Sequence, residues 1–521
     1  MSRIRRFLQK LLVARKDEPQ VVPAAANQHR SKEPDSVASR LRGTPYQKGD
    51  FIGQHYEVRG LLGEGGLGFV YQVYSHEAND VFAVKTFKDE FQGNENIREM
   101  FRKEAQLWID MERHPYLVRA YYVEEISHRL YIVMEHIARG DTGLNTLHEY
   151  LRYQPPDFAQ SLRWAIQFCH GMEYAYSKGL RCHRDIKPGN IMIANDKTVK
   201  ISDFGLAGVT EGRRATAQTP QSQNRVGTWR SDQTIPVGGT ITHMPPEQFI
   251  DSASCDQRSD IYSFGVVLYE MTSGGLPFFV PPPSGPGKRG WTESMWKLHS
   301  EAPVPRLDSK LFPLIQRCLE KKPQRRYQNF RDLRKDLEAL LERTTGERIK
   351  PPTLEDLKPW EWGNKGVSLN DLGRFEEALY CHNRAIELNP RSETAAKAWS
   401  NKALTLRALN RLDEAVECCD RALELDPAHV SNLINKAAIL DGLGRYEESV
   451  ACCDRALELA PNNSKAWVNR GKALSGLGRF ADVLQCDERA VSLAPGDALA
   501  WNNKGTTLKK LKRFEEALSC Y

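Results

Sequence analysis

The sequence has no long apolar run and little net charge. None of its hydrophobic stretches reaches the roughly 18 residues that a helix needs to span a bilayer, which excludes a transmembrane protein. Lysines and arginines number 73 against 67 acidic residues, and six of those cations, with no acid, lie within residues 1–16. The rest of the chain is neutral, which excludes a basic nucleic-acid-binding body.

The eleven cysteines form no CxxC pair of the kind that marks a zinc site. Five of them recur at steps of 37, 34, 34 and 34 residues: Cys381, Cys418, Cys452, Cys486 and Cys520. We interpret a cysteine at one repeat position as a small buried residue on a packed helix face. Because no secretory signal with a small-residue cleavage site is visible, we expect reduced thiols in a cytoplasmic protein.

The first 53 residues differ in character from the rest. Residues 1–16 place apolar side chains at helical spacing among basic ones, which fits an amphipathic segment on an anionic membrane surface. The alternative is a solvated tail or a docked helix, and we favour it because one short segment without a second anchor binds weakly. Residues 17–53, rich in proline, alanine, serine and glutamine, are predicted to be a disordered linker.

After a second linker, predicted at 343–357, residues 358–521 repeat with a period of 34. One position of this repeat is marked by large apolar residues: Trp362, Trp399, Leu433, Trp467 and Trp501. Prolines recur with the same spacing at Pro390, Pro427, Pro461 and Pro495. The pattern resembles tetratricopeptide repeats, four complete and a fifth incomplete at Tyr521. Each such helix pair buries its apolar face by stacking on its neighbours in an all-α solenoid.

One polar position also recurs in every repeat, and each member is followed by Lys or Arg: Asn364, Asn401, Asn435, Asn469 and Asn503. These side chains could form a ladder that grips an extended or acidic peptide. They could instead satisfy backbone groups between stacked helices, which is the interpretation we favour. The repeats therefore indicate a protein or peptide ligand and leave its identity open, together with the oligomeric state.

Residues 62–70 read LGEGGLGFV, in which Gly63, Gly65 and Gly68 have the spacing GxGxxG. Glycine allows backbone to approach phosphates closely. The motif alone also fits a dinucleotide-binding turn, which a helix would follow. Here the next segments, FVYQVY and VFAVKTF, alternate like the strands of a hairpin and place Lys85 on the second of them.

Two further motifs carry chemistry. Residues 183–190 read HRDIKPGN, and Asp203-Phe204-Gly205 follows the apolar strand VKIS. A buried lysine that contacts phosphates needs an acidic partner, and the helical stretch 96–111 offers Glu99 and Glu104. The apolar stretch LYIVMEHI after it reads as a strand that ends in a polar break.

With these motifs in this order, residues 56–342 resemble a eukaryotic-type serine/threonine protein kinase domain. Kinase and repeats together resemble multidomain signalling kinases of bacteria. Residues 244–247 (MPPE) stand where the family has Ala-Pro-Glu, Asp260 lies in a segment resembling its central helix, and Arg326 would pair with Glu247. The resemblance implies a multidomain protein: an α+β bilobal kinase domain over residues 54–342, followed by the all-α solenoid.

The resemblance also implies a role for each catalytic residue. Asp185 would orient the attacking hydroxyl, and Lys187 would neutralise charge on the transferring phosphoryl group. Asn190 and Asp203 would ligate Mg²⁺, with Mn²⁺ as an alternative. Thr240 would link the peptide platform to the catalytic loop. Because tyrosine kinases place their basic residue two positions after Lys187, we expect a protein substrate phosphorylated on serine or threonine.

An ATP site is implied as well, with Glu104 preferred as the partner of Lys85, Met134 lining the pocket, and residues 135–137 forming a hinge that binds adenine. Its members would be Leu62, Gly63, Glu64, Gly65, Gly66, Leu67, Gly68, Phe69, Val70, Ala83, Lys85, Glu104, Met134, Glu135 and Ile137. Trp108 is bulkier than the leucine or methionine usual at its position and could tilt the helix that carries Glu104.

The segment between Asp203 and Glu247 is long and rich in hydroxyls. We hypothesise autophosphorylation at one or more of Thr210, Thr216, Thr219, Ser222, Thr228, Ser231 and Thr234. Arg184 would bind the added phosphate. The competing interpretation of the whole chain is a catalytically inactive pseudokinase scaffold, which usually lacks the equivalents of Lys85, Asp185 or Asp203; all three are present here.

Overall fold

A computed structural model describes residues 46–53, 56–65, 68–76, 79–91, 93–111, 113–126, 129–204, 241–282, 288–353 and 356–521. The predicted tail at 1–16, most of the first linker, the hydroxyl-rich segment 205–240 and the site residues Gly66, Leu67 and Thr240 lie outside the described residues. The described chain divides into two compact units, one ending at Asp356 and one spanning Leu357–Tyr521. No helix within the described ranges is both long and apolar enough to cross a bilayer.

The first unit begins with an antiparallel sheet of strand order β1-β2-β3-β4-β6-β5. Its strands are β1 (Phe51–Ile52), β2 (Tyr56–Glu64), β3 (Gly68–Ser75), β4 (Asp80–Phe87), β5 (Ala120–Ile126) and β6 (Arg129–Glu135). Side chains alternate between the two faces of each strand. Phe82 and Val84 of β4 join the buried core on one face. Lys85, the next residue, therefore lies on the opposite face, where helix α1 (Glu95–Asp110) supplies its acidic partner.

The prediction of disorder over 17–53 is wrong for its last eight residues. Ile52 is fully buried and pairs with Tyr56 of β2. The Tyr46 hydroxyl lies 3.1 Å from that of Tyr131, and the backbone N–H of Tyr46 donates to the Tyr71 hydroxyl at 3.2 Å. The polar composition of the segment hid these few apolar and aromatic side chains, which fold against the sheet because burial there outweighs the cost of ordering them.

The second half of this unit is helical. It contains α2 (Leu147–Tyr153), α3 (Phe158–Ser177), α4 (Pro246–Ile250), α5 (Gln257–Ser273), α6 (Lys288–Glu301), α7 (Phe312–Cys318) and α8 (Phe330–Thr345), with a small antiparallel pair, β7 (Ile191–Ile193) and β8 (Val199–Ile201). Helix α5 is buried along most of its length and is the centre of this part. The predicted pair is confirmed: Arg326 donates to Glu247 at 2.6 and 3.0 Å.

The helical part continues past the boundary predicted at residue 342. Helix α8 ends at Thr345, and Gly346 adopts a left-handed conformation (φ +74°) that closes it. Glu347 then accepts three hydrogen bonds of 2.7 to 3.1 Å from the Arg163 guanidinium of α3. Residues 343–347 therefore belong structurally to the first unit, because this contact holds them against α3.

The second unit is a row of helix pairs with the 34-residue period of the sequence. The first helices are α9 (Pro359–Asp371), α11 (Glu393–Ala408), α13 (Val430–Gly442), α15 (Ser464–Gly476) and α17 (Ala498–Lys510). The second helices are α10 (Phe375–Leu388), α12 (Leu412–Leu425), α14 (Tyr446–Leu459), α16 (Phe480–Leu493) and α18 (Phe514–Cys520). As predicted for the repeated cysteines, Cys381, Cys418 and Cys486 are buried, while Cys452 and Cys520 are half-buried.

The repeated asparagine and its basic neighbour serve packing between repeats. Asn469 donates to the Ile434 carbonyl of the preceding repeat at 3.3 Å, in line with the structural interpretation. Three of the five basic neighbours pair with an acid of the preceding second helix: Lys436–Asp420 (2.6 Å), Arg470–Asp454 (2.6 Å) and Lys504–Glu488 (3.9 Å). These cations are therefore engaged within the solenoid and are not available as a ligand ladder.

Candidate active site

The glycine loop connects β2 and β3. Gly68 is required by packing, since a Cβ there would overlap the Thr86 carbonyl oxygen of β4. A Cβ at Gly63 would instead meet open space, and Gly65 closes the turn through an N–H bond to the Gly68 carbonyl at 2.8 Å. The loop therefore has bare backbone on its open side, as close approach to a phosphate requires.

The neighbouring predicted members of the ATP site occupy both strands of this hairpin. Leu62 is exposed, and Glu64 accepts a hydrogen bond from Lys88 at 2.6 Å. Phe69 is buried in the sheet core, whereas Val70 faces the other way and pairs in register with Lys85. Ala83 pairs with Met134, and both are buried at the base of the sheet.

Lys85 joins two carboxylates that come from distant parts of the chain. Its Nζ lies 2.5 Å from Oε1 of Glu104 on α1 and 2.7 Å from Oδ1 of Asp203 after β8. The side chains of Lys85 and Glu104 are largely buried, at 15% and 5% exposure, whereas that of Asp203 is 44% exposed. One ammonium thus holds helix α1 and the Asp203 segment together beneath the glycine loop.

The electrostatics follow from this arrangement. The Lys85 ammonium lowers the pKa of Asp203 to about 2, against the opposing effect of burial. Burial disfavours the charged form of Lys85, but the two carboxylates outweigh it and raise the pKa of that lysine. Burial raises the pKa of Glu104, and Lys85 acts in the opposite direction. The site is therefore a tightly coupled group of charges in a low-dielectric setting.

The loop formed by residues 183–190 brings together three of the predicted site residues. Asp185 accepts hydrogen bonds from Lys187 Nζ at 2.7 Å and from Asn190 Nδ2 at 3.0 Å. Asn190 Nδ2 also donates to the Asp185 carbonyl at 2.8 Å. The carboxylate of Asp185 is thus held in one orientation by a cation and an amide.

Helix α5 fixes the beginning of this loop. The carboxylate of Asp260 accepts from the backbone N–H of His183 at 2.7 Å and from that of Arg184 at 3.0 Å. Arg184 has a positive φ of +67°, a conformation that costs energy for a residue with a side chain. Because Asp260 is buried at the centre of the helical part, it holds this strained loop in place.

Asp203 is the exposed acid beside the loop. Its φ of +61° is also left-handed, a conformation that costs energy for a residue with a side chain. The amide nitrogen of Asn190 is used by Asp185, which leaves its oxygen as a donor for a cation. Across the described residues, no group of three or more His, Cys, Asp and Glu could hold a metal. The carboxylate of Asp203 and the amide oxygen of Asn190 are ligands of the type that Mg²⁺ takes together with phosphates.

The predicted hinge follows β6. Glu135 is held by its backbone and by its side chain. Its backbone N–H donates to the Arg119 carbonyl at 2.8 Å, and its carboxylate accepts from Lys200 Nζ at 3.0 Å. The Ile137 carbonyl accepts a hydrogen bond from the side chain of Asn145 at 2.7 Å. The hinge backbone is therefore anchored rather than loose.

Several supporting residues were not predicted from the sequence. Lys200 beside Glu135 and Gln248, which donates to the Arg184 carbonyl at 3.0 Å, have partners 65 and 64 residues away. Asn145 binds the Ile137 carbonyl of the hinge, eight residues before it. Trp108, which could tilt α1, is accommodated with the Lys85–Glu104 pair of this helix formed. No local pattern signals such contacts, because the residue types are common on any surface.

The comparison with family profiles agrees with this geometry. The profile of the protein kinase domain matches residues 56–336. Profiles of the tetratricopeptide repeat match residues 359–392, 396–429 and 433–463, and related ones match 452–485 and 498–521. The kinase profile falls within the first compact unit, and the repeat profiles fall within the second.

Similar proteins are found among bacterial kinases. A probable serine/threonine-protein kinase of Clostridium perfringens is 32% identical over 297 residues, which cover 56% of this chain and 39% of that protein. Serine/threonine-protein kinase A of Synechocystis is 28% identical over 324 residues, with 58% and 56% covered. PknB of Mycobacterium tuberculosis is 30% identical over 296 residues, with 55% and 43% covered. The chain thus spans about half or less of the length of the relatives it matches.

Proposed function

The chain belongs to the protein kinase domain family, and we propose that it transfers the γ-phosphoryl group of ATP to serine and threonine hydroxyls of proteins. The observation that supports this most strongly is the convergence of Lys85, Glu104 and Asp203 beneath the glycine loop. A scaffold without catalytic function would not need an ammonium held between two carboxylates from separate elements. The pseudokinase alternative has no comparable observation in its favour.

The proposed roles follow the positions of the side chains. Lys85, with Glu104 at its back, binds the phosphates nearest the sugar. Asp203 and the amide oxygen of Asn190 hold Mg²⁺, which offsets the negative charge of the phosphates. Asp185 orients the attacking hydroxyl, and Lys187 lies beside it to stabilise charge on the transferred group. The chemistry is positioning and electrostatics, which suits a site built from fixed hydrogen bonds.

The test uses the full chain with radiolabelled ATP, Mg²⁺ and a mixed protein substrate such as casein. We expect phosphoserine and phosphothreonine after hydrolysis of the product, and a loss of about a thousandfold or more in rate for Lys85→Met and Asp185→Asn. Thr240 is proposed to join the peptide platform to this loop, so Thr240→Ala should reduce the rate and Thr240→Ser retain it. Phosphotyrosine as the main product, or equal rates in the wild type and Lys85→Met, would refute the proposal.

Autophosphorylation in segment 205–240 is proposed as the regulatory step, with Arg184 as the group that binds the phosphate. The position of Arg184 beside Asp185, in a loop held by Asp260, supports this. Intact mass after incubation with ATP should rise by whole phosphate units, and Asp203→Ala should not change. Equal masses for both proteins would rule it out.

We further propose that the repeats bind an acidic segment of a partner or substrate protein. The first helices α15 and α17 contain six lysines and arginines and no acid. The second helices α12, α14 and α16 contain five, four and three acids, with one arginine each. Charge is therefore segregated between the two sides of the solenoid, a pattern that favours a ligand of one sign on each side.

The basic side is accessible. Its exposed lysines are Lys465, Lys472, Lys509 and Lys510. Within the described part of the chain none of the four has a carboxylate within ion-pair distance; Lys510 donates to Ser475 of the preceding repeat at 3.1 Å. This hydrogen bond joins α17 to α15, so the four lysines lie on two first helices that are in contact.

Fluorescence anisotropy with a labelled glutamate-rich 12-residue peptide tests this surface. We expect binding that weakens with salt and is lost in the double variant Lys472→Glu, Lys510→Glu. The matched control, Arg455→Glu with Arg489→Glu, reverses two charges on second helices and should bind normally. Equal loss in both variants would contradict the assignment. For the location, we propose the cytoplasm, since buried thiols such as Cys418, Cys453 and Cys486 persist most readily under reducing conditions.

A further inference from the structure

Trp108 lies at the back of the Lys85–Glu104 pair. It follows Glu104 by four residues in α1, so both side chains are on the same helix face. The indole Nε1–H donates to Oε1 of Glu104 at 3.4 Å, and the same oxygen accepts from Lys85 Nζ at 2.5 Å. With 2% of its surface exposed, Trp108 is shielded from water, so this oxygen is the acceptor of its N–H.

The ring of Trp108 makes a second contact on its other side. It packs edge-on against Phe204, with ring centroids 5.0 Å apart and an interplanar angle of 86°. Phe204 is fully buried and also contacts the His183 ring, at 4.7 Å. One side chain of α1 therefore touches both the acid that binds Lys85 and the residue next to Asp203.

We propose that Trp108 is a positioning residue for phosphoryl transfer, whose N–H keeps the Glu104 carboxylate turned towards Lys85. A glutamate side chain has three rotatable bonds and several rotamers. Any rotamer that turns Glu104 away from Lys85 leaves a buried indole N–H without an acceptor, which is costly. The tryptophan therefore penalises the disengaged arrangement, which a leucine or methionine at this position cannot do.

The electrostatic setting agrees with this role. Burial and the charge of Asp203 raise the pKa of Glu104, while Lys85 and, to a smaller degree, the Trp108 N–H act against them. Removing the N–H should raise the pKa of Glu104 further. Because the pair with Lys85 requires the ionised carboxylate, nucleotide binding should then be lost at a higher pH as the solution is acidified.

The inference rests on the proposed kinase function, so both nucleotide binding and phosphoryl transfer are measured on the full chain. Trp108→Phe keeps an aromatic ring but has no N–H, and Trp108→Leu removes both features. Trp164→Phe is the matched control: Trp164 is 3% exposed and its Nε1 donates to the Lys197 carbonyl at 2.8 Å, away from the site. Displacement of a fluorescent ATP analogue gives affinity, and kcat and KM for ATP are followed from pH 5.5 to 8.5.

We expect Trp108→Phe and Trp108→Leu both to raise the dissociation constant and the KM for ATP by about three- to tenfold, with a smaller change in kcat. The acidic limb of kcat/KM should move to higher pH in both, and Trp164→Phe should resemble the wild type. If Trp108 acts through packing alone, Trp108→Phe will match the wild type in affinity and pH profile, which overturns the proposal.

The failure of the two proposals can be told apart. A wild-type chain that binds nucleotide but transfers no phosphate refutes the proposed function, while the affinity ratio between wild type and Trp108→Phe still decides the role of Trp108. A wild-type chain that binds no nucleotide refutes both. Thermal melting identifies any variant that does not fold. If Trp108→Leu fails to fold, the more conservative Trp108→Phe decides the role of Trp108.

Discussion

The two units of the chain use ion pairs in different ways. In the kinase unit the important pairs join residues far apart in sequence, such as Lys85–Asp203, 118 residues apart, and Arg326–Glu247, 79 residues apart. In the repeats the most regular pairs are three residues apart and start each second helix. They are Arg374–Glu377, Arg411–Glu414, Arg445–Glu448, Arg479–Asp482 and Arg513–Glu516.

The difference is one of burial and of redundancy. The Arg326 side chain is fully buried, and its guanidinium also donates to the carbonyls of Arg258, Glu320 and Lys321. Arg445 is 43% exposed and has equivalents in four other repeats. The kinase unit therefore depends on single, irreplaceable contacts, whereas the repeats spread a weaker contribution over many copies.

The largest difference in stability between the two classes of ion pair is expected when one arginine is removed from each unit. Arg326→Leu leaves the Glu247 carboxylate without its cation, and we expect the kinase unit to lose about 3–5 kcal/mol of stability. Arg445→Leu should cost the repeats less than about 1 kcal/mol, because its partner is hydrated. Hydrogen exchange followed by mass spectrometry resolves the two units in the full chain.

A double variant sharpens the result. Adding Glu247→Leu to Arg326→Leu removes the unpaired charge and should recover part of the lost stability. Similar protection losses for Arg326→Leu and Arg445→Leu would show that burial does not separate the two classes of pair.

Acidification should affect the units in opposite directions. Burial lowers the pKa of His114 to about 4 and of His299 to about 3. When the pH falls below the ordinary histidine pKa of about 6.5, these histidines become protonated in the unfolded chain but stay neutral in the folded one. Each should therefore cost the kinase unit about 2 kcal/mol by pH 5. In the repeats, burial raises the pKa of Asp441 and Asp487, so the folded form takes up protons first and stability should be level or rise slightly.

Unit-resolved hydrogen exchange between pH 7 and 5, corrected for the intrinsic exchange rate, measures both slopes. His114→Asn keeps an acceptor for the Tyr116 N–H, which now bonds Nδ1 at 3.2 Å, but does not titrate. It should remove only part of the acid-induced loss in the kinase unit, because burial also lowers the pKa of His136, His170 and His299. Parallel losses in the two units would contradict this assignment of the titrating groups.

The smallest expected effect tests how uniform the repeats are. Gly442 and Gly476 hold the same repeat position, and Ala408 holds it one repeat earlier. A Cβ at Gly476 would lie 2.5 Å from the Tyr446 ring, whereas at Gly442 the nearest atom, Cδ1 of Leu412, is 3.3 Å away. Gly476→Ala should cost about 1–2 kcal/mol. Gly442→Ala should be neutral or slightly stabilising, because alanine favours the helix by up to about 1 kcal/mol.

Thermal melting of the two alanine variants beside the wild type measures this difference. Equal melting temperatures for Gly442→Ala and Gly476→Ala would mean that the Tyr446 ring moves aside without cost. The repeats would then be interchangeable at this position, which would strengthen the contrast with the single contacts of the kinase unit.

Much of the fold could be predicted because its signals are local or periodic. The glycine loop with Lys85 on the following strand, the catalytic loop at 183–190 and the 34-residue period are all short patterns whose spacing reflects backbone geometry. Thr240, Gly66 and Leu67, and the hydroxyls of segment 205–240, stay predictions. The structured end of the first linker could not be predicted, because Tyr46 and Ile52 gain their burial from strands that begin later in the chain.

By itself the sequence determined which residue types are present, their order, and hence the family and the number of helix pairs. Only the tertiary structure decided that Lys200 binds Glu135, that Gln248 binds the Arg184 carbonyl and that Glu347 binds Arg163. The physical reason is that a hydrogen bond acts over about 3 Å in space, while the chain can separate its two partners by any number of residues.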